Sequence, residues 1–580
     1  MTGASPIPDA ATISIADALK LLDEDFKELA VGVAKGEYAL WLGSGISRER
    51  VPDLRIVVRC VLDHLSDGAR AEAGDGPFTV ALTKAVGLAL TNTEKKAVDL
   101  TNTPGVWPNV NVVVDRLVSH YSQLLDIRIL GKKEDYLLWE VVDVRDTYAN
   151  DNLEPDCEHL AVAVLALEGV FPTITSANWD GLVEKALAGI TAGNPDILAV
   201  YVRADDIRGA NRRSHLYKYH GCAVLAKKDE AKYREYIVGR QSQIVDWPLD
   251  DRFAVMRNRL EGFTSTSRTL MVGLSAQDSN IQAIFAKGRA LMNWPYPSHP
   301  PAYVFAEEDL GADQETLLKC VYKDAFVNHQ LEIETGARIP AYGKSLLSAL
   351  VLSVLARKAV GLVGLVDAPH LSAVEREKLA IGVNSLRDTV AATAGTSSSD
   401  KLEFMKALIA GMTRDLAMFR GDTAAHAARV YGPLGVFPVG QQSGDPELQM
   451  SGMPELAVFT GLAGIGHAED QWHVAQATGD LAEGTLTITS PASPTPQKLF
   501  LVSSSEALSR LVLDGIVNED DPMTIVTICS APVSRQQRNP GGSYGRADNR
   551  RCREVSLRSI VTEATSVGHL LARFKEEATL

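Results

Sequence analysis

Between residues 14 and 35, Leu19, Leu22, Phe26, Leu29 and Val33 recur at helical spacing and predict one amphipathic helix. Ser14, with Asp17 three residues on, suits its amino-terminal cap, and Gly36 suits its stop. The apolar run YALWLG (38–43) predicts a short buried strand, and GSGIS (43–47) a sharp turn. Pro52 fits the first turn of a following helix, in which Leu54, Val57, Val58, Val61, Leu62 and Leu65 share a face. The order is strand, glycine loop, helix. Residues 66 to about 155 mix short helical patterns with turn-rich stretches such as TNTEKKAVDLTNTPGVWPNV, and predict a largely helical insertion.

Strand candidates then alternate with helical segments: VFPTITS (170–176), ILAVYV (197–202), HLYKYH (215–220), REYIVG (234–239), TLMVGL (269–274) and PAYVFA (301–306). Strands that are apolar throughout and separated by helices predict a parallel sheet covered on both faces. The helix KSLLSALVLSVLAR (344–357) is expected to close this unit. Residues 358 to 421 read as helical, with breaks at Gly395–Ser399 and Gly421–Asp422. From about 430 the chain grows richer in Gly, Pro, Ser and Thr, and GTLTITS, KLFLVSS and TIVTICS read as short strands. The expected architecture is α/β: a doubly wound parallel sheet over 1–357 with an insertion at about 66–155, a helical connector over 358–425, and an α+β regulatory or assembly domain over 426–580. No internal repeat is seen. The segment 534–559 carries seven arginines around a glycine-rich stretch. It reads as a solvated loop or hairpin, or else as a docking surface.

A chain of 580 residues is expected to form two or three domains. Its 46% hydrophobic and 23% charged residues are those of a globular protein. The net charge of −15 repels nucleic acid and anionic membrane on average. The six cysteines are scattered with no CxxC pair, as expected of reduced thiols in a cytosol. MTGASPIPDAAT lacks the basic start and apolar run of a secretory signal. The most apolar stretch, Leu346 to Val366, is interrupted by Arg357 and Lys358 and reads as a buried helix pair. These readings point to a cytoplasmic protein.

Four short blocks carry candidate chemistry. A strand ending in Gly-x-Gly before a helix lets backbone amides approach a pyrophosphate, with Gly43 permitting the turn and Gly45 close approach. With the third glycine of the usual fingerprint missing, a plain tight turn is equally compatible. In TITSANWDGLVEKAL (173–187), Asn178 and Asp180 follow a strand and so fall at the carboxyl edge of the sheet, where such folds bind ligands. Asn178 alone could equally be a helix cap. In HLYKYHGC (215–222), His220 ends a strand; a lone histidine is more often structural than catalytic. MVGLSAQDSNI (271–281) is a further strand ending in a polar cluster. Cys157 and His159 in DCEHL are too few for a metal site and read as a solvated helix start.

GSGISRERVPDLR (43–55) resembles the sirtuin signature, a Gly-x-Gly-Ile-Ser loop followed by Ile-Pro-Asp-Phe-Arg, with Val51 for the Ile and Leu54 for the Phe. TITSANWD is similar to the sirtuin Thr-Gln-Asn-x-Asp block, with Ala177 for the Gln as in bacterial sirtuin-like proteins. His220-Gly221 resembles the His-Gly pair that supplies the general base. Val-Gly-x-Ser-x-x-Asp-x-Asn-Ile resembles a block of the bacterial branch. The four blocks stand in family order over residues 38–306, roughly half the chain, and the resemblance extends to about 357.

The resemblance implies a Rossmann-like sheet that binds NAD+, with Gly43, Ser44, Gly45, Ile46 and Ser47 forming the dinucleotide loop. It places Asp53, Arg55 and Asp180 toward the nicotinamide, and Gly273 and Ser275 toward the adenosine half. Asp278 and Asn280 follow in the same block. Asn178 and His220 become the catalytic pair. Sirtuin deacylases carry a zinc module of two CxxC pairs after the His-Gly; here only Cys222 lies nearby, so no zinc or other metal cofactor is expected.

NAD+ is then the substrate, and the implied protein is an NAD+ nucleosidase of the zinc-free bacterial branch. Such a hydrolase releases nicotinamide and ADP-ribose and acts as an antiphage, abortive-infection effector by depleting NAD+. A homo-oligomer is expected, with a HerA-type ATPase as partner or, less in keeping with the helical extension, a short Argonaute. Membrane association and direct nucleic-acid binding are not expected. The competing readings are a non-catalytic NAD+ or ADP-ribose sensor and, less favoured, a divergent deacylase.

Overall fold

The structure is a computed structural model and describes residues 9–72, 74–194, 196–208, 213–288, 294–422, 430–477, 480–530 and 551–580. The run YALWL forms strand β1 (Tyr38–Leu42), with all five residues buried. It lies mid-sheet because both flanks are taken, by β2 (Thr173–Ser176) and by β5 (Arg268–Val272). With β3 (Leu198–Tyr201), β4 (Ser214–Lys218), β6 (Tyr303–Ala306) and β7 (Arg338–Ile339), the order is β3-β4-β2-β1-β5-β6-β7. Every pair is parallel. The chain builds outward from β1 on one side, then returns to build the other from β5. That reversal opens a crevice at the carboxyl ends of β1, β2 and β5, where open α/β sheets bind ligands.

The doubly wound α/β sheet therefore forms as expected, with four local corrections. REYIVG is not a strand: Arg234–Tyr236 is one 3-10 turn. β4 already has neighbours on both flanks, and this segment hydrogen-bonds the chain just past β4 only through the Val238 amide, which donates to the His220 carbonyl at 3.0 Å. The helix expected over 14–35 is two, Ile15–Asp23 and Lys27–Ala34. Asp23, Glu24 and Asp25 put three acids at the first helix's carboxyl end, where the dipole opposes them, and before the second's amino end, where it favours them. The helix after the glycine loop starts at Leu54, past Pro52, because Asp53 caps it by accepting from the Ile56 amide at 2.9 Å. The fourth correction concerns DCEHL: Asp156, Cys157, Glu158 and His159 are buried at the head of the helix Cys157–Leu167, not solvated.

The apolar stretch expected to be a helix pair is one continuous helix, Gly343–Leu365. It is long and apolar enough to cross a membrane, yet 78% of its most apolar window is buried inside the protein. Its first half packs in the core of the parallel sheet and its second half in that of the carboxyl-terminal region, so residue 357 falls within a helix and not at a border. Lys358 is fully buried there. Its Nζ donates to the Glu168 carboxylate at 2.7 Å and to the carbonyls of Glu168 and Gly435. Glu168 also accepts from the Tyr431 hydroxyl at 2.7 Å.

The helices Ala373–Ala392, Ser398–Arg420 and Met453–Ala468 complete a helical layer. Beyond it stands a second sheet, in the order β12-β11-β10-β9-β8. Its strands are β8 (His473–Gln476), β9 (Leu486–Thr489), β10 (Gln497–Val502), β11 (Thr524–Ile528) and β12 (Arg553–Ser556). Pairing is parallel between β10, β11 and β12 and antiparallel between β8, β9 and β10. Of the arginine-rich segment, residues 534–550 lie outside the described residues, and β12 accounts for some of the rest.

Candidate active site

Gly43 leaves β1 in extended conformation, and Ser44–Ser47 makes a single 3-10 turn. The Gly43 amide donates to the Val272 carbonyl at 3.1 Å and the Gly45 amide to the Gly273 carbonyl at 3.0 Å. A Cβ on Gly45 would stand 2.6 Å from the Gly273 Cα, and Gly273 itself has φ +65°. The glycines thus seat the β1 loop on the β5 loop, and two of the amides expected to face a pyrophosphate are already used.

Two cavities meet over this seam. One, of about 440 Å3, is bordered by Gly43, Asp53, Arg55, Asn178, Asp180 and His220. The other, of about 500 Å3, is bordered by Gly45, Ile46, Glu158, Glu307, Lys344 and Lys401. Ser44, Arg48, Gly273 and Ser275 border both and form the junction of one groove. Of the sequence-predicted residues, Ser47 and Asn280 stand off it, both fully buried. A larger charged groove, about 980 Å3, lies beyond residues 237–240, away from all of them. Its arginines are ion-paired, Arg234 with Asp135 at 2.7 Å, Arg240 with Asp126 at 3.5 Å and Arg252 with Glu235 at 2.6 Å.

Asn178 is not a helix cap: the helix Leu182–Ile190 begins after Gly181, and Asp180 accepts from the Leu182 amide at 3.1 Å. Its amide nitrogen donates to the Ser47 hydroxyl at 3.4 Å. Ser47 in turn meets His159 Nε2 at 3.0 Å, and His159 Nδ1 accepts from the Asp156 amide at 3.0 Å. Burial holds the His159 imidazole down at about 4, so the ring is neutral at pH 7 and serves as a fixed prop. Asn178 borders the groove, and its buried Oδ1 has no hydrogen-bond partner among the described residues. An orphaned buried acceptor costs about 1–3 kcal/mol, a cost that a hydroxyl donor in the groove removes.

His220 ends the β4 edge and is 4% exposed. Burial lowers its pKa, opposed by Asp278, whose Oδ2 lies 3.9 Å from Nδ1. Asn280 donates to Nε2 at 2.8 Å. Asp278 thus lies on the Asn178–His220 side of the groove. Arg55 is ion-paired with Asp115 of the insertion, so its charge is already shared.

Among the groove residues that sequence reasoning missed are Arg48, Glu158 and Tyr121. Arg48 is exposed at the junction and has no hydrogen bond or ion pair to another described residue. It follows GSGIS directly, but no periodicity marks a loop cation. Glu158 borders the second cavity; burial pushes its carboxyl up to about 8, and Oε2 has no partner among the described residues. Tyr121 comes from the insertion, where nothing in the pattern singles it out. Among the described residues no group of three or more His, Cys, Asp or Glu could hold a metal ion.

Residues 172–326 match the family described as SIR2-like domain. The span runs from β2 past β6 and contains Asn178, Asp180, His220, Gly273 and Ser275. No curated protein matches the chain. The match supports a sirtuin-like family, and with it NAD-utilising chemistry in general.

Proposed function

We propose that this protein is an NAD+ hydrolase releasing nicotinamide and ADP-ribose. The observation that carries the proposal is Asn178, which borders the same cavity as His220 and whose buried Oδ1 has no hydrogen-bond partner among the described residues. The dinucleotide would lie along the groove, its pyrophosphate at the Ser44–Arg48 junction, where Arg48 stands unpaired among the described residues. The nicotinamide ribose then faces Asn178 and His220.

Cleavage passes through an oxocarbenium-like state. The C–N bond breaks with its electron pair going to the pyridinium nitrogen, so nicotinamide leaves neutral and needs no acid. Water attacks the anomeric carbon and gives up its proton on the His220 side. Asn178 orients the ribose and the water, and Asp53 and Asp180 order the nicotinamide end. Mass spectrometry of NAD+ incubated with the protein is expected to find ADP-ribose and nicotinamide. NAD+ recovered intact under every stimulus would leave the sensor reading, and O-acetyl-ADP-ribose from an acetylated peptide the deacylase one.

In the cell we assign this chemistry to antiphage defence by NAD+ depletion, in the cytoplasm. Such an enzyme must be silent in an uninfected host, so the carboxyl-terminal region is assigned the gating role through self-assembly or a HerA-type ATPase partner. The isolated chain should turn over slowly; fast unstimulated cleavage tolerated by cells would contradict the gating.

The reading is of a zinc-free enzyme. Elemental analysis of the purified chain should find no stoichiometric zinc, and chelators should leave its folding unchanged; about one zinc per chain would refute this.

A further inference from the structure

We infer that Asp278, anchored by Tyr121, is a catalytic carboxylate that takes the proton of the reacting oxygen while His220 holds that oxygen in place. The inference rests on the hydrolase reading and assigns a residue beyond the Asn178–His220 pair.

Asn280 fixes the histidine. Its Oδ1 accepts from the Ile281 amide at 2.9 Å, which turns its amino group toward His220 Nε2 at 2.8 Å. Nε2 is therefore the unprotonated nitrogen, and it faces the fully buried Asn280. The ring proton sits on Nδ1, facing Asp278 Oδ2. A neutral imidazole held this way offers a donor, so an acceptor must come from elsewhere.

Asp278 supplies it. Tyr121 donates to Oδ1 at 3.0 Å, and Oδ2 has no hydrogen bond to another described residue. The 3.9 Å between Nδ1 and Oδ2 is too long for a direct hydrogen bond and admits one bridging oxygen. A ribose hydroxyl or the attacking water placed there accepts from Nδ1–H and donates to Oδ2. As the C–N bond breaks and the new C–O bond forms, its proton passes to the Asp278 carboxylate. Both Asp278 and Tyr121 border the cavity, so Asp278 reaches the reacting oxygen and Tyr121 positions it. The other ionisable groups around the pair are Tyr219, whose ring lies 4.7 Å from that of His220, and Arg48, Asp53, Arg55, Tyr148 and Asp180 on the cavity wall.

The test compares Asp278→Asn and Tyr121→Phe with the wild type in the full, stimulated chain. Turnover of NAD+ is followed from pH 5 to 9, and binding of ADP-ribose by calorimetry. Asp278→Asn keeps the shape and loses the charge. It is expected to hold ADP-ribose within about threefold, while kcat falls by about a hundredfold, the scale of a lost general base. The carboxylate must be ionised to take the proton, so its replacement by an amide removes its share of the acid limb of kcat/KM. Tyr121→Phe keeps the ring and frees the carboxylate; a fall of several-fold in kcat at unchanged ADP-ribose affinity is expected. Wild-type kcat and an unmoved acid limb in Asp278→Asn would overturn the assignment, as would wild-type kcat in Tyr121→Phe should the first variant not fold. A wild-type chain that binds ADP-ribose but never cleaves NAD+ would instead remove the hydrolase reading itself.

Discussion

Asn178→Ala, in a folded and stimulated chain, is expected to lower NAD+ turnover by about a hundredfold or more while weakening binding only modestly. The amide touches the Ser47 hydroxyl on one side and offers a free oxygen on the other. Truncation therefore removes ribose and water orientation but leaves the seam between the β1 and β5 loops in place. His220→Ala should behave alike, and the double variant should be little worse than either, since residues that act as a unit are not additive. Steady-state rates together with ADP-ribose affinity decide the matter. If both single variants cleaved NAD+ at the wild-type rate, the chemistry would have to be sought elsewhere, first in the carboxyl-terminal region. Gly45→Val is a poor companion experiment: its side chain would strike the Gly273 backbone and push β1 and β5 apart, so lost activity would not report on the pyrophosphate alone.

The second large effect is on stability. Lys358→Met removes the only cation within salt-bridge distance of Glu168 among the described residues and leaves a fully buried carboxylate beside apolar helix packing. Breaking a buried pair from one side costs about 3–5 kcal/mol. Urea unfolding should show a loss of that size, and adding Glu168→Gln should recover some of it, because the orphaned charge goes with it. A loss below about 1 kcal/mol would mean that the pair is not buried in solution as it is here.

What could be read from the chain follows from how strongly each element advertises itself. β1, β5 and β6 are largely apolar runs between helices, as burial on both faces favours, while β2 and β4, TITS and SHLYK, are legible from the apolar and β-forming residues around them. β7 has two residues, too few for any periodicity. β8 and β12, HVAQ and REVS, are edge strands with polar residues, so neither alternates clearly. REYIVG misled because β-forming side chains do not reveal whether a sheet has an open edge. The groove follows the same logic. Asn178, Asp180, His220 and the glycines stand at strand ends and in motifs, where position implies exposure to ligand. Tyr121 reaches Asp278 across 157 residues, and Glu158 acquires its character only from what packs over it.

The helix Gly343–Leu365 has 23 residues and is about 34 Å long. Gly343 and Lys344 border the groove, while Leu362 and Val363 lie in the core that also holds β10 and β11. No loop interrupts this span, so neither half can expose its apolar interior without stripping the other of one wall. Heat or denaturant is therefore expected to meet a single cooperative unit, with no fragment that separates at a break within the helix.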